Sequence, residues 1–234
     1  MAIRDRISVD GDRSVSAVHH PADSDRWVVF CHGLRSDKSG SYERRCERIV
    51  EAGCNAVRFD FCGCGDSDGT FDESTLSVRI ADLRAVISHF DPDRYALFGS
   101  SFGAKVAFHA AFDDDRATSI AARAPVTFNR TFDEYREVVD GGGTVRFGDD
   151  HLDSRFFDDL RAYPFSAVTS TLDVPVAIFH GRNDESVSLA ESLRATERLE
   201  TAVTLQTFPG EGHRFSEAAE RRLLDAWIDW LQRQ

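Results

Sequence analysis

The segment Gly99-Ser100-Ser101-Phe102-Gly103 is a G-x-S-x-G pattern entered by the apolar run Tyr95-Ala96-Leu97-Phe98 and left by a helical stretch containing Ala107, Ala110 and Ala111. A sharp strand-to-helix turn of this kind strains its central residue and exposes its hydroxyl. Glycine two residues to either side avoids a collision across the turn. Ser101 is therefore the candidate nucleophile. A serine hydroxyl attacks well only when a neighbouring base takes its proton. His213 is the best placed of the eight histidines for that task, in the glycine-containing loop Pro209-Gly210-Glu211-Gly212-His213 after the strand expected at Val203 to Phe208. His19 and His20 lie near the opening hairpin, and His89, His109 and His151 on predicted helices or in an inserted segment. The imidazole in turn needs an acid to fix its tautomer and stabilise the imidazolium. Asp184 follows the run Val174 to Phe179, with Glu185 beside it as a competitor. A tetrahedral intermediate also needs amide donors. The backbone N–H groups of Leu34, after His32-Gly33, and of Phe102, directly after Ser101, are the expected pair.

These groups must be carried by elements that end on one edge of a sheet. Short β-branched or apolar runs alternate with helical stretches, which predicts an α/β protein with a mostly parallel sheet. Ile3 to Val9 and Ser14 to His19 read as an opening hairpin around Asp10-Gly11-Asp12. Strands are expected at Trp27 to Cys31, Asn55 to Phe61, Arg94 to Phe98, Thr118 to Ala124, Val174 to Phe179 and Val203 to Phe208. Helices are expected near Tyr42 to Ala52, Leu76 to Phe90, Phe102 to Phe112 and Ser216 to Leu231. The last has Leu223, Leu224, Trp227, Trp230 and Leu231 on its apolar face. The interval from about Phe128 to Phe165 breaks the alternation and is too long for a plain connection. It is read as a cap, approximately residues 127–166, inserted into a single domain of residues 1–234.

The 234 residues carry a formal net charge of −12 and 41% hydrophobic residues. That balance suits a globular chain and argues against nucleic acid, which requires a basic footprint. No apolar run approaches the ~20 residues of a membrane span. The N-terminus has no apolar core of a signal peptide, so a cytoplasmic setting is the default expectation. The five cysteines then read as reduced thiols. Cys62-Gly63-Cys64 lacks a second ligand pair at zinc spacing, and small residues filling a tight loop is the preferred reading. His32 as a zinc ligand is likewise set below a role in orienting its loop; neither metal nor cofactor is expected. Lys38 and Lys105 are the only lysines. Salt adaptation and an arginine-favouring genome explain the acidic, lysine-poor composition equally well.

Together these residues resemble the α/β-hydrolase superfamily over essentially the whole chain, and the order Ser101, Asp184, His213 is the one that fold uses. His32-Gly33-Leu34 with Lys38 resembles the H-G-F-x-G-x-K loop of the feruloyl and cinnamoyl esterase branch. Phe59-Asp60-Phe61-Cys62-Gly63-Cys64-Gly65-Asp66-Ser67-Asp68-Gly69 resembles its D-F-x-G-x-G-x-S-D-G segment. Leu34 replaces an aromatic, Cys64 stands where histidine is usual, and Ser36 where the loop often has glycine. The resemblance implies an eight-stranded, mostly parallel sheet flanked by helices, and a serine hydrolase that cleaves esters without a cofactor. The same triad would serve a thioesterase, a lactone hydrolase or an acyl-peptide hydrolase. A dehalogenase is disfavoured, because its elbow carries aspartate where Ser101 stands. The alternative of another class is a non-catalytic binding protein on this fold. The inserted segment is rich in aromatics, among them Phe128, Phe147, Tyr163 and Phe165. Phe132, Tyr135, Phe156 and Phe157 are the expected substrate contacts. Its many interspersed charges favour small soluble esters over lipid interfaces.

Overall fold

Eight strands form one sheet in the order β1-β2-β4-β3-β5-β6-β9-β10. The computed structural model describes all residues, 1–234. The strands are β1 (Ile3–Asp10), β2 (Arg13–His20), β3 (Trp27–Cys31), β4 (Asn55–Phe59), β5 (Tyr95–Ser100), β6 (Ala117–Arg123), β9 (Val176–Gly181) and β10 (Val203–Phe208). Strand β2 pairs antiparallel with both β1 and β4, and every other pairing is parallel. With its helices the molecule has the α/β-hydrolase fold. The central strands β4 and β5 are buried at every residue, as expected when helices cover both faces of a parallel sheet.

The period-two alternation of the strands sorts their side chains into two cores. Val28, Phe30, Ala96, Phe98, Ala177 and Phe179 face one layer, with α1 (Ser41–Glu51) and α8 (Glu217–Leu231). Val29, Cys31, Leu97, Ile120, Val176 and Ile178 face the other, with α2 (Leu76–Phe90), α3 (Phe102–Ala111) and α7 (Leu189–Arg198). Helix α8 starts where the Ser216 hydroxyl accepts the Ala219 N–H at 3.2 Å, a side-chain cap for one orphan donor. It buries Leu223, Leu224, Trp227, Trp230 and Leu231, the face expected from their spacing.

Between β6 and β9 the chain forms a 3₁₀ turn (Asn129–Phe132), α4 (Asp133–Asp140), a small hairpin of β7 (Val145–Phe147) and β8 (Asp150–Leu152), α5 (Ser154–Arg161) and α6 (Ser166–Thr169). The hairpin was not expected; strands of three residues carry too little periodicity to be read. The strand expected at Val174 to Phe179 begins instead at Val176 and continues to Gly181. Pro175 has no N–H to give the ladder, so pairing starts after it. His180 consequently lies in the strand, opposite Thr207.

All ten residues of α3 are buried, including Lys105. Its ammonium donates to Thr127 O at 3.0 Å and forms no ion pair. Burial pulls its pKa down to about 7. Between that value and the ordinary 10.5 the unfolded chain binds a proton that the native state releases, so this group's penalty is full below pH 7 and fades as pH rises. Lys105→Met should therefore stabilise the protein at pH 7, on the order of a few kcal/mol. The gain should shrink towards pH 10. Urea midpoints of both proteins at pH 7, 8.5 and 10 check this, and a pH-independent difference would contradict it.

Candidate active site

Strands β3, β5, β6, β9 and β10 run parallel, so the loops that follow them gather on one edge. Ser101 sits at the tip between β5 and α3 with φ 54° and ψ −119°, a conformation that non-glycine residues rarely hold. Neighbouring backbone fixes it there: Ser101 N–H donates to Arg123 O at 2.9 Å, and Ser101 O accepts from Val126 N–H at 3.1 Å. A Cβ added at Gly99 would fall 2.3 Å from Ala104 Cα, and one at Gly103 would fall 2.3 Å from Cys31 O. Both glycines are thus demanded by close approach across the elbow.

The loop after β10 presents His213, whose Nδ1 lies 2.8 Å from Asp184 Oδ2 in the loop after β9. The Asp184 side chain is fully buried and the imidazole is 23% exposed. Asp184 Oδ1 accepts the N–H groups of Ser186 and Val187 at 2.9 and 2.8 Å. His180 Nε2 stands 3.3 Å from Oδ2. Burial opposes ionisation of Asp184, yet these hydrogen bonds outweigh it and hold the carboxyl well below the usual carboxylate range. Glu185 is exposed and lines the cleft without touching the imidazole. Ser101 and His213 line the same cleft of about 960 Å³. The hydroxyl-to-imidazole hydrogen bond itself is not formed in this conformation, a common looseness before substrate binds.

Leu34 and Phe102 line that cleft with Ser101. Phe102 opens α3, so its N–H is one of the helix's unsatisfied donors. A Cβ on Gly33 would lie 3.6 Å from Ser101 Cβ, which sets the β3 loop against Ser101. That loop is braced from two sides. Arg79 of α2, wholly buried, donates to Leu34 O at 2.9 Å and Gly33 O at 3.4 Å. His32 accepts Phe61 N–H at Nε2 (3.0 Å) and reaches Gly33 O from Nδ1 (2.8 Å). Burial and the Arg79 charge pull its pKa down to about 3, so it is a neutral strut for the loop. Lys38 and Asp60, from the two segments that resemble the esterase branch, form a buried pair at 2.5 Å; Lys38 also meets Asp66 at 2.7 Å. Those segments thereby clamp the β3 and β4 loops together.

Of the four aromatics expected to contact substrate, Phe132 and Tyr135 line the cleft, together with Phe147. Phe156 and Phe157 do not. They are buried on α5, with the Phe156 ring packed 5.6 Å from Phe102 and 5.5 Å from Phe132. Both lie with Leu160 on the apolar face of α5, and that face is turned to the core. Arg79, Arg123 and His180 also bear on the candidate site, and sequence alone does not single them out. The available signal for Arg79 was a charged residue on the apolar face of a predicted helix. Cys62 and Cys64 are both buried, and Cys64 Sγ meets Arg79 at 3.5 Å.

No helix is long and apolar enough to cross a membrane. The model of the prolyl oligopeptidase family matches residues 77–234. Among curated proteins, the chain is 26% identical over 220 residues to human mitochondrial palmitoyl-protein thioesterase ABHD10, covering 87% of this chain and 72% of the relative. Among solved structures, it is similar to Est1E from Butyrivibrio proteoclasticus with ferulic acid bound, with a TM-score of 0.87, 19% identity and 98% of each chain covered. It is also similar to alpha/beta hydrolase domain-containing protein 10 from mouse, with a TM-score of 0.86, 19% identity and 99% of each chain covered. At such identities the structural likeness establishes the fold.

Proposed function

Because this chain belongs to the prolyl oligopeptidase family, within the α/β hydrolases, we propose that it is a serine hydrolase cleaving small, soluble carboxylic esters through an acyl-serine intermediate. The observation that carries the reading is a positive-φ serine sharing a cleft with a histidine bonded at 2.8 Å to a buried aspartate. In the reaction, Ser101 Oγ attacks the ester carbonyl as His213 Nε2 takes its proton. The negative charge on the carbonyl oxygen is received by the N–H groups of Leu34 and Phe102. The C–O bond breaks, and the imidazolium returns the proton to the departing alcohol. Water then adds to the acyl-serine by the same route, with His213 again taking and returning one proton, and the acid leaves. Asp184 stays ionised throughout and orients the ring. This chemistry draws on protein groups alone.

Residues 127–166 act in this reading as a cap on a single domain, with Phe132, Tyr135 and Phe147 bordering the acyl group. The cleft also carries many charged side chains, among them Arg35, Arg123 and Glu134, which suits small polar esters better than long acyl chains. The relative named as a thioesterase supports a second reading, a thioester substrate handled by the same residues. A reducing, cytoplasmic setting suits five free cysteines. A fluorophosphonate probe should label the protein once, on Ser101, as located by peptide mass spectrometry. An unlabelled protein, or an adduct elsewhere, would overturn the proposal in favour of a binding role. Matched p-nitrophenyl ester and thioester series then decide between the two substrates.

A further inference from the structure

Behind Ser101 two largely buried arginines contact a single carboxylate; Asp184 attracts Arg123 through space, but its oxygens are taken by His213, Ser186 and Val187. Arg45 of α1 grips Glu220 of α8 through Nε at 3.2 Å and Nη2 at 2.7 Å, and it donates to Ser100 Oγ at 3.3 Å. Arg123, at the end of β6, reaches the same carboxylate only at 3.7 Å. Two guanidinium groups therefore share one carboxylate, and the cost of desolvating such a group is repaid only where its remaining protons also find acceptors. Of the five N–H donors on an arginine, those of Arg123 that find acceptors go to Ser100 Oγ at 3.4 Å and His213 O at 2.5 Å. The remaining donors have none, although Arg123 lines the cleft. Burial and the adjacent Arg45 both depress its pKa, the mark of a cation short of counter-charge, and a guanidinium stays charged regardless.

The other charges around the cleft do not fill that gap. Glu217 is held by Arg44 and Arg221, and Asp37 accepts the Ser39 N–H. Glu134 and Glu185 stand on α4 and in the β9 loop, on elements other than those bearing the arginine pair, and neither forms an ion pair with it. Arg123 is also close to the chemistry. It pairs in register with Ser100, and its carbonyl accepts the Ser101 N–H. The guanidinium touches Ser100 Oγ and His213 O, so an anion bound to it lies beside the residues that flank the proposed chemistry.

We propose, resting on the serine-hydrolase reading, that the preferred substrate carries a carboxylate near its ester, as in the half-ester of a short dicarboxylic acid, and that Arg123 binds it. A guanidinium–carboxylate contact is a strong, charge-assisted one. The test compares mono-4-nitrophenyl glutarate with 4-nitrophenyl valerate, which replaces the carboxylate by a methyl group. In wild type, kcat/KM should favour the half-ester by about 10-fold or more. The advantage should shrink from 0.01 to 1 M KCl as the Debye length falls from roughly 30 to 3 Å. Arg123 also holds the His213 loop, so Arg123→Met should lower both rates, and the ratio is the readout. It should fall to about 1 in Arg123→Met and be partly restored in Arg123→Lys. Free glutarate should slow fluorophosphonate labelling of wild-type Ser101 and pentanamide should not, which keeps the test open if the variants fail to fold. Equal rates on the two esters, with Ser101 still labelled, would overturn the carboxylate assignment alone. A preference that survives Arg123→Met would also overturn it. Absence of any Ser101 adduct would instead remove the hydrolase reading beneath it.

Discussion

Replacing Ser101 with alanine should lower ester turnover by roughly 10⁴-fold or more while leaving the fold intact. Ser100→Ala should keep substantial activity. The two hydroxyls are neighbours in sequence but differ in every physical respect. Ser100 ends β5, is 1% exposed, and accepts hydrogen bonds from Arg45 and Arg123. Ser101 alone has the strained positive φ and an open position in the cleft. Alanine too carries a Cβ and so neither adds to nor relieves that strain, and the melting temperature of Ser101→Ala should stay near that of wild type. Initial rates on a p-nitrophenyl ester, with circular dichroism as the folding control, make the comparison. Similar residual rates in the two variants would remove Ser101 from the mechanism.

Asp184→Asn should be nearly as damaging, roughly 10³- to 10⁴-fold in kcat, whereas Glu185→Gln should change kcat little. An asparagine at 184 can present an amide N–H to His213 Nδ1 and so favour the wrong tautomer. It also withdraws the charge that stabilises the imidazolium. Glu185 makes no contact with the ring and is solvated. A second consequence concerns stability. Hydrogen bonds hold the folded-state pKa of Asp184 below its unfolded value. Its contribution is therefore present above the unfolded pKa near ~4 and is lost as pH falls through the depressed native value. Asp184→Asn should thus be less stable than wild type at pH 7, with the gap closing in acid. If Glu185→Gln proved the more damaging change, the acid would belong at position 185.

The parts of the candidate site that are legible in the sequence are those whose placement is tied to local backbone. The elbow advertises itself through Gly99 and Gly103, both excluded from carrying a side chain by contacts across the turn. Asp184 follows a strongly apolar strand, and His213 follows one in which apolar and polar residues alternate. What stayed hidden depends on which elements meet in space. Arg79 reads as one more charge on α2 until that helix is seen against the β3 loop, and Arg123 reads as a strand end until α1 and α8 close over it. Aromatic identity likewise says nothing of direction. Phe147 reached the cleft because an unforeseen hairpin carries it there, beneath the Arg35 guanidinium 4.3 Å from its ring centre. Phe156 and Phe157 were drawn into the core by the amphipathic face of α5.

The five free cysteines are all buried, and four of them are divided between the layers: Cys31 and Cys64 belong to the core beneath α2 and α3, Cys46 and Cys54 to the one beneath α1 and α8. Because a buried thiol reacts with an alkylating reagent only when its surroundings open, the wild-type chain carries its own pair of reporters on either side of the sheet. Uniform protection of all four would mark the two layers as one cooperative unit. Earlier loss at Cys46 and Cys54 would mark the α1–α8 layer, which holds the Arg45–Glu220 pair behind Ser101, as the part of the molecule that loosens first.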